Sequence, residues 1–417
     1  MKSKTRVQVI TGLLAMCMAV SVAHASSVNN GGAATVMDGH GQHGQQKRAA
    51  ERLCRKTSSS PKGAPKVLIG YVFSPAQLLP PEALLAEKLT HINYAFANLK
   101  NGQIVNGFDF DERNYQLLQS LKKRNPDLKI LSSVGGWTWS GGFSDAVLTA
   151  ASRRVLVDSA VAFVKRHQLD GIDIDWEYPG LAGMGNRHRP QDGKNFTLLL
   201  KSLRAAFDAL ELELGRSLLL TIATGGFPDY LAKSDISRWQ RYLDYINIMA
   251  YDFNFPVEGG NTGHHTAFYS HPDDDTGQSA DAAVRNHIAA GVPAHKLVLG
   301  VAFYGRHWTQ VNAKNYGYPQ PGRAGKNPYG STSFNHIAPE LINQKSFVRY
   351  WDELAKAPWL WSEKEQLFIS YDDPQSLQEK TTYVHQQALA GMMFWQYASD
   401  YQHQLLNAIQ SGLQGCR

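Results

Sequence analysis

From residue 67 onward, short continuous apolar runs alternate with longer stretches whose apolar residues recur every three or four positions. The first run, Val67-Leu-Ile-Gly-Tyr-Val-Phe73, has the character of a strand buried on both faces in a parallel sheet. Comparable runs follow at 90–99, 128–136, 218–226, 245–252, 297–306 and 391–397, and a further strand, the fourth in order, is expected at 169–179. Between them, helical spacing recurs at 81–88, 115–123, 155–168, 196–214, 279–290 and 377–389, and residues 405–409 lie in a closing helix. Eight strand–helix units in this order predict an α/β protein, a (β/α)8 TIM barrel. At 307–371 the rhythm breaks into Gly, Pro, Asn and aromatic residues with strand-like pieces at 347–351 and 367–371. That stretch is expected to be a small α+β insertion between strand seven and its helix. An open doubly wound sheet is disfavoured, because no Gly-x-Gly-x-x-Gly follows the first strand. The glycine pairs stand instead at Gly135-Gly136 and Gly225-Gly226.

Composition changes this picture mainly at the start of the chain. A hydrophobic content of 43% over 417 residues supports a large core. Met1-Lys-Ser-Lys-Thr-Arg6 is followed by an apolar run to Val22 and then by Ala23-His-Ala25, the pattern of a secretory signal peptide over 1–25. A retained membrane anchor is disfavoured by Thr11, Gly12 and Ser21 within the run. The protein is therefore expected to be secreted, extracellular or periplasmic. Residues 26–66, rich in Gly, His, Gln, Ser and Lys, read as a polar disordered leader, and 67–417 as the barrel domain. The formal charge of +6 resides in the signal and the leader; from residue 67 onward it is about −2. The basic balance is thus no argument for a nucleic-acid partner. Export leaves Cys54 and Cys416, which can pair in an oxidising compartment or remain as two free thiols.

The candidate chemistry lies in Asp170-Gly-Ile-Asp-Ile-Asp-Trp-Glu-Tyr-Pro-Gly180. Asp173, Asp175 and Glu177 fall at i, i+2 and i+4, so on a strand all three carboxylates face one side, while Ile172, Ile174 and Trp176 face the other. Three readings are open: a divalent-cation cluster, a solvated acidic strand end, or an acid catalyst with neighbours that tune its pKa. Mutual repulsion of the carboxylates raises at least one pKa, which suits the third reading. In a barrel the C-terminal end of this strand lies at the mouth, where barrel chemistry sits. Asp170, off the alternating register, is read as a brace for the strand.

The run matches the Asp-x-x-Asp-x-Asp-x-Glu signature of glycoside hydrolase family 18, the chitinases. Ser133-Val-Gly-Gly136 and Met249-Ala-Tyr-Asp252 also resemble that family's third- and sixth-strand elements. The resemblance implies retaining, substrate-assisted hydrolysis of β-1,4-linked N-acetylglucosamine polymers, in which the substrate's own N-acetyl oxygen attacks. Carried over residue by residue, it implies Glu177 as proton donor, Asp175 as the residue holding the acetamido group, Asp173 as a setter of Asp175's charge, and Tyr251 as partner of the acetamido carbonyl. It further implies Asp252 and Arg306 as sugar-binding groups and Trp395 as the floor of the −1 subsite. Tyr71, Phe96 and Met249 would line the site, Trp137 the cleft beyond it, and Gly136 would let the backbone approach closely. Trp139 falls in the same cleft region; Trp308, Trp351, Trp359 and Trp361 mark the insertion as a candidate wall. Neither metal nor cofactor is implied. The expected partner is chitin or an N-acetylglucosamine oligomer, with no nucleic acid and no membrane anchor, and the expected state is a monomer. Two alternatives share the signature: an endo-β-N-acetylglucosaminidase acting on glycans or peptidoglycan, and a non-catalytic chitin-binding lectin, which would typically lack the acid.

Overall fold

A computed structural model describes residues 65–274 and 276–415. The signal peptide expected over 1–25, almost all of the expected leader, Cys54 and Cys416 lie outside the described residues. In chain order the strands are β1 (Val67–Phe73), β2 (His91–Lys100), β3 (Gln103–Val105), β4 (Lys129–Gly135), β5 (Gly171–Asp175), β6 (Leu219–Gly225), β7 (Tyr245–Met249) and β8 (Leu297–Ala302). Then come β9 (Arg306–Trp308), β10 (Val348–Asp352), β11 (Ala357–Ser362), β12 (Leu367–Ser370) and β13 (Gly391–Trp395). β1, β2, β4, β5, β6, β7, β8 and β13 pair in parallel around a ring, which closes because β1 bonds to both β2 and β13. This is the (β/α)8 barrel that the alternation predicts.

The period of two along each strand sorts side chains into two cores. Val67, Ile69 and Tyr71 of β1 meet Ala95, Val298 and Met393 inside the barrel, whereas Leu68 and Val72 join the layer between strands and helices. On β5 the same rule sends Ile172, Ile174 and Trp176 outward. The Trp176 ring stacks on Phe143 at 5.2 Å and meets Phe196 edge-on at 5.3 Å. The apolar face of the acidic strand is thus fixed against the helical layer, and the acids can only face inward.

Helix Ala150–His167, which leads into β5, starts at a reciprocal cap between Thr149 and Ser152. Helix Asp192–Leu214, which follows β5, stops at Gly215 in the left-handed conformation. One expected helix is absent. Residues 81–88 form two 3₁₀ turns, Pro81–Ala83 and Ala86–Lys88, separated by non-helical backbone at Leu84, which is extended, and Leu85. Burying Leu84 breaks the helical path, and side chains take up the freed backbone groups: the Tyr397 hydroxyl accepts from Leu85 N–H at 2.7 Å and Arg124 donates to Leu84 C=O. Two short helices unmarked by periodicity, Pro228–Lys233 and Ile236–Trp239, link β6 to β7.

The insertion is an antiparallel sheet in the order β10-β11-β12-β9 with one helix, Phe334–Glu340. Trp308, Trp359 and Trp361 are buried in its own core with Tyr318 and Phe368, so these three tryptophans hold the insertion together rather than face a cleft. Behind it, Lys380 of helix Pro374–Gln386 reaches both oxygens of Asp372 (2.8 and 2.9 Å) and Thr266, all fully buried. Among the described residues, no helix is long and apolar enough to cross a membrane.

Candidate active site

Asp173, Asp175 and Glu177 point into the barrel in successively higher layers, and all three are buried. Asp173 is the deepest. It accepts from Thr221 Oγ1 (2.6 Å) and Asn247 Nδ2 (3.2 Å) on one oxygen, and from Tyr71 Oη and Ser133 Oγ (2.8 Å each) on the other. Burial raises its pKa, and the hydrogen bonds of these four donors oppose the rise. Asp175 stands differently: its Oδ1 is buried with no hydrogen-bond partner among the described residues. Burial first, then repulsion from Glu177 and Asp173, pushes its pKa well up. Burial also pushes Glu177 up to about 7; a hydrogen bond with Tyr178 opposes the rise and the charge of Asp252 adds to it. A carboxyl with that pKa is a proton donor near neutral pH.

The floor and walls are aromatic. The Trp395 ring is stacked on Phe96 at 5.3 Å and tilted against Tyr71 (5.9 Å) and Phe73 (5.8 Å) at the centre of the mouth. Gly135 and Gly136 make room beneath. A Cβ on Gly136 would lie 2.7 Å from the Phe96 ring, and one on Gly135 2.4 Å from the carbonyl of Asp175, both at positive φ. The Gly136 N–H also donates to that carbonyl at 2.7 Å. Trp137 is 47% exposed on the rim, in edge contact with Tyr178 at 6.3 Å. Trp139 instead packs on Phe108 at 4.8 Å. Peptides Ala95–Phe96, Glu177–Tyr178 and Trp395–Gln396 are cis.

Across the mouth, Met249 and Tyr251 join the interior cluster of Tyr71, Phe96 and Trp395. Asp252 and Arg306 do not stand as separate groups. Arg306 Nε and Nη2 donate to the two Asp252 oxygens at 2.7 Å each, and Tyr304 Oη adds a third bond at 2.8 Å. Burial alone would raise the Asp252 pKa; the Arg306 guanidinium and His265, whose Nδ1 lies 3.4 Å away, overcome it and hold Asp252 well below the usual carboxylate range.

The sequence and the fold are matched by known proteins. The family described as Glycosyl hydrolases family 18 covers residues 67–400. The chain belongs to glycosyl hydrolase family 18. Chitinase A1 of Niallia circulans is 36% identical over 384 residues, spanning 78% of this chain and 55% of that protein. Chitotriosidase-1 of Mus musculus is 35% identical, spanning 73% of this chain and 66% of its own length. This chain therefore spans about half to two thirds of these relatives. Among solved structures, a family 18 N-acetylglucosaminidase from Paenibacillus barengoltzii shares 44% identity at a TM-score of 0.76, covering 83% of this chain and 99% of that one. The class V chitinase of Nicotiana tobaccum shares 28% at 0.75, covering 84% and 99%.

Several contributors to this family 18 site escape a reading of the sequence. Thr221 and Asn247 are single polar residues within apolar strands, and the signal for each is its inward parity next to Asp173. Ser140, on the single 3₁₀ turn Ser140–Gly142, and Asn186, in a loop, bond the Glu177 backbone from segments without periodicity. Asp170, as its register suggests, sits at the opposite end of β5, where it accepts from Ile130 N–H (2.8 Å), Lys122 (2.7 Å) and Arg216 (3.0 Å).

Proposed function

We propose that the protein is a secreted enzyme that hydrolyses chitin and related β-1,4-linked N-acetylglucosamine oligomers with retention of configuration, using the substrate's acetamido group as nucleophile. The observation that carries this reading is a buried carboxyl at Glu177, pushed up to about 7 and standing over Asp175 at the barrel mouth. Glu177 gives its proton to the leaving glycosidic oxygen as the acetamido oxygen attacks C1 from the other face. Asp175, whose Oδ1 has no partner among the described residues, accepts the acetamido N–H and stabilises the cationic ring that forms. Asp173, held by its four donors, fixes the field under Asp175. Tyr251 donates to the acetamido carbonyl, and the Trp395 ring carries the apolar face of the sugar. Asp252, locked to Arg306, presents a permanent acceptor to a sugar hydroxyl. Water then opens the intermediate, with Glu177 taking its proton.

The deciding experiment compares matched acetylated and fully deacetylated oligomers, with a glucose series as control. Only the acetylated series supplies the internal nucleophile, so it alone is expected to turn over; comparable rates on all three would exclude acetamido attack. A second reading is release of single N-acetylglucosamine units, favoured by the 44% identity to the N-acetylglucosaminidase. The product profile on a short oligomer series separates the two: monosaccharide alone from the first time point supports it, whereas disaccharide and longer products support the polymer-cleaving reading.

A further inference from the structure

An acid catalyst works only if its carboxyl is held in place, and Glu177 lies outside the element that would ordinarily hold it. The ladder of β5 ends at Asp175, whose carbonyl accepts the Gly136 N–H at 2.7 Å. Two residues further on, the Glu177 backbone has no strand partner. Both of its polar groups are bonded to side chains instead. Its N–H donates to Ser140 Oγ at 2.9 Å, and its carbonyl accepts from Asn186 Nδ2 at 2.7 Å. The Ser140 hydroxyl donates to the Gly136 carbonyl at 2.8 Å and to the Asp175 carbonyl at 3.1 Å, so it also ties Glu177 to the ends of β4 and β5. Ser140 and Asn186 are both buried. The chain at Gly183 passes directly against the same carbonyl: a Cβ there would lie 2.1 Å from Glu177 O.

The two loops that carry these residues are latched to each other. Asp145, in the short helix Phe143–Ala146 just after Ser140, accepts from Arg187 Nη1 (3.0 and 3.1 Å) and from Arg189. Arg189 also donates to Ser144 Oγ at 2.6 Å, and Ser144 donates to the buried Asp192 at 2.8 Å. Arg187 and Arg189 follow Asn186 by one and three residues, so the latch lies next to it in the same loop.

We propose that Asn186 and Ser140 are positioning residues for the proton donor, acting as two pins that fix the Glu177 backbone where the sheet no longer can. This rests on the reading of Glu177 as the acid. A carboxyl displaced by about 1 Å loses on the order of a hundredfold in rate. A loosened Glu177 would also gain solvent, and burial is the main cause of its raised pKa.

The test uses Asn186→Ala, Asn186→Asp and Ser140→Ala in the full chain, with Glu177→Gln alongside. Rates on a soluble N-acetylglucosamine oligomer are normalised to the fraction of protein that binds the oligomer. Asn186→Asp keeps the shape but, ionised, has no donor for the carbonyl. All three variants are expected to lose roughly ten- to a hundredfold in kcat with KM within about twofold, and the alkaline limb of kcat is expected to move to lower pH. Ser140→Ala attacks the second pin from the other loop, so the proposal stays testable if an Asn186 variant does not fold. Unchanged kcat and an unmoved alkaline limb in the folded variants, with only the melting temperature lowered, would make the pair merely structural and overturn it. The Glu177→Gln arm separates the two levels: if that variant retains turnover, the acid assignment itself is wrong, whereas an inactive Glu177→Gln beside wild-type pin variants refutes the pins alone.

Discussion

Replacing Glu177 by Gln tests the site through stability as well as rate. In the folded chain, burial first of all pushes the Glu177 carboxyl from its ordinary value of 4.5 up to about 7. Folded Glu177 therefore holds its proton more tightly than unfolded Glu177. Below about pH 4.5 both states are protonated and the residue costs nothing. Between there and about pH 7 the unfolded chain releases the proton first, so stability falls with rising pH. Above that the cost is complete, at roughly 3 kcal/mol. Glutamine keeps the shape and has no charge to bury; it also relieves the repulsion on Asp175, which acts with the same sign. The variant should match wild type near pH 4.5 and exceed it at pH 8 by about 2–3 kcal/mol. For a domain of roughly 350 residues that is about 3–4 °C in melting temperature. Denaturant or thermal unfolding across pH 4.5–8 measures the difference, and hydrolysis assayed on the same samples should fall to below about a hundredth while oligomer binding persists. Parallel stability curves for the two proteins would refute the buried-acid argument, and turnover above that level would remove Glu177 as the donor.

Three further outcomes are expected. Lys380→Met leaves Asp372 charged and fully buried without its partner, so urea denaturation should show a loss of about 3–5 kcal/mol; a loss under 1 kcal/mol would mean the pair is not the brace it looks. Asp252→Asn removes a negative charge that helps to raise Glu177, so the alkaline limb of kcat should shift to lower pH in a pH–rate profile, and an upward shift would contradict the sign of that coupling. Cys54 and Cys416 are proposed to pair in the exported protein; intact mass after thiol alkylation without reductant should show no alkylated cysteine, and reduction should lower the melting temperature while leaving kcat unchanged.

The barrel was legible because its strands are buried on both faces and so read as unbroken apolar runs. β5 was the informative exception, its acids all on one parity and Trp176 on the other. Local spacing could not reveal what depends on register between strands. Thr221 and Asn247 matter only because β6 and β7 bring them beside Asp173. Asp252 and Arg306 were each legible as polar groups at a strand end, but their pairing across 54 residues was not. The 81–88 segment misled for a different reason: its spacing is helical, yet the core claims Leu84 and the backbone follows it. The insertion's tryptophans were visible as a cluster, but whether they face a groove or one another is decided by the sheet they sit on.

The site's division of labour follows from two carboxyls at one mouth with opposite environments. Glu177 and Asp252 both lie just beyond strand ends, and both meet burial that favours the neutral form. Glu177 has no cation beside it among the described residues, and its backbone partners, Ser140 and Asn186, are uncharged. Burial therefore wins, and it stays protonated near neutral pH. Asp252 has a guanidinium on both oxygens and a tyrosine hydroxyl besides, so it remains an anion through the whole working range. Of these two carboxyls, Glu177 is therefore the one with a proton to give, while Asp252 stays an acceptor and a fixed negative charge. That fixed charge adds to the elevation of Glu177, so the Asp252 side of the mouth helps to keep Glu177 protonated.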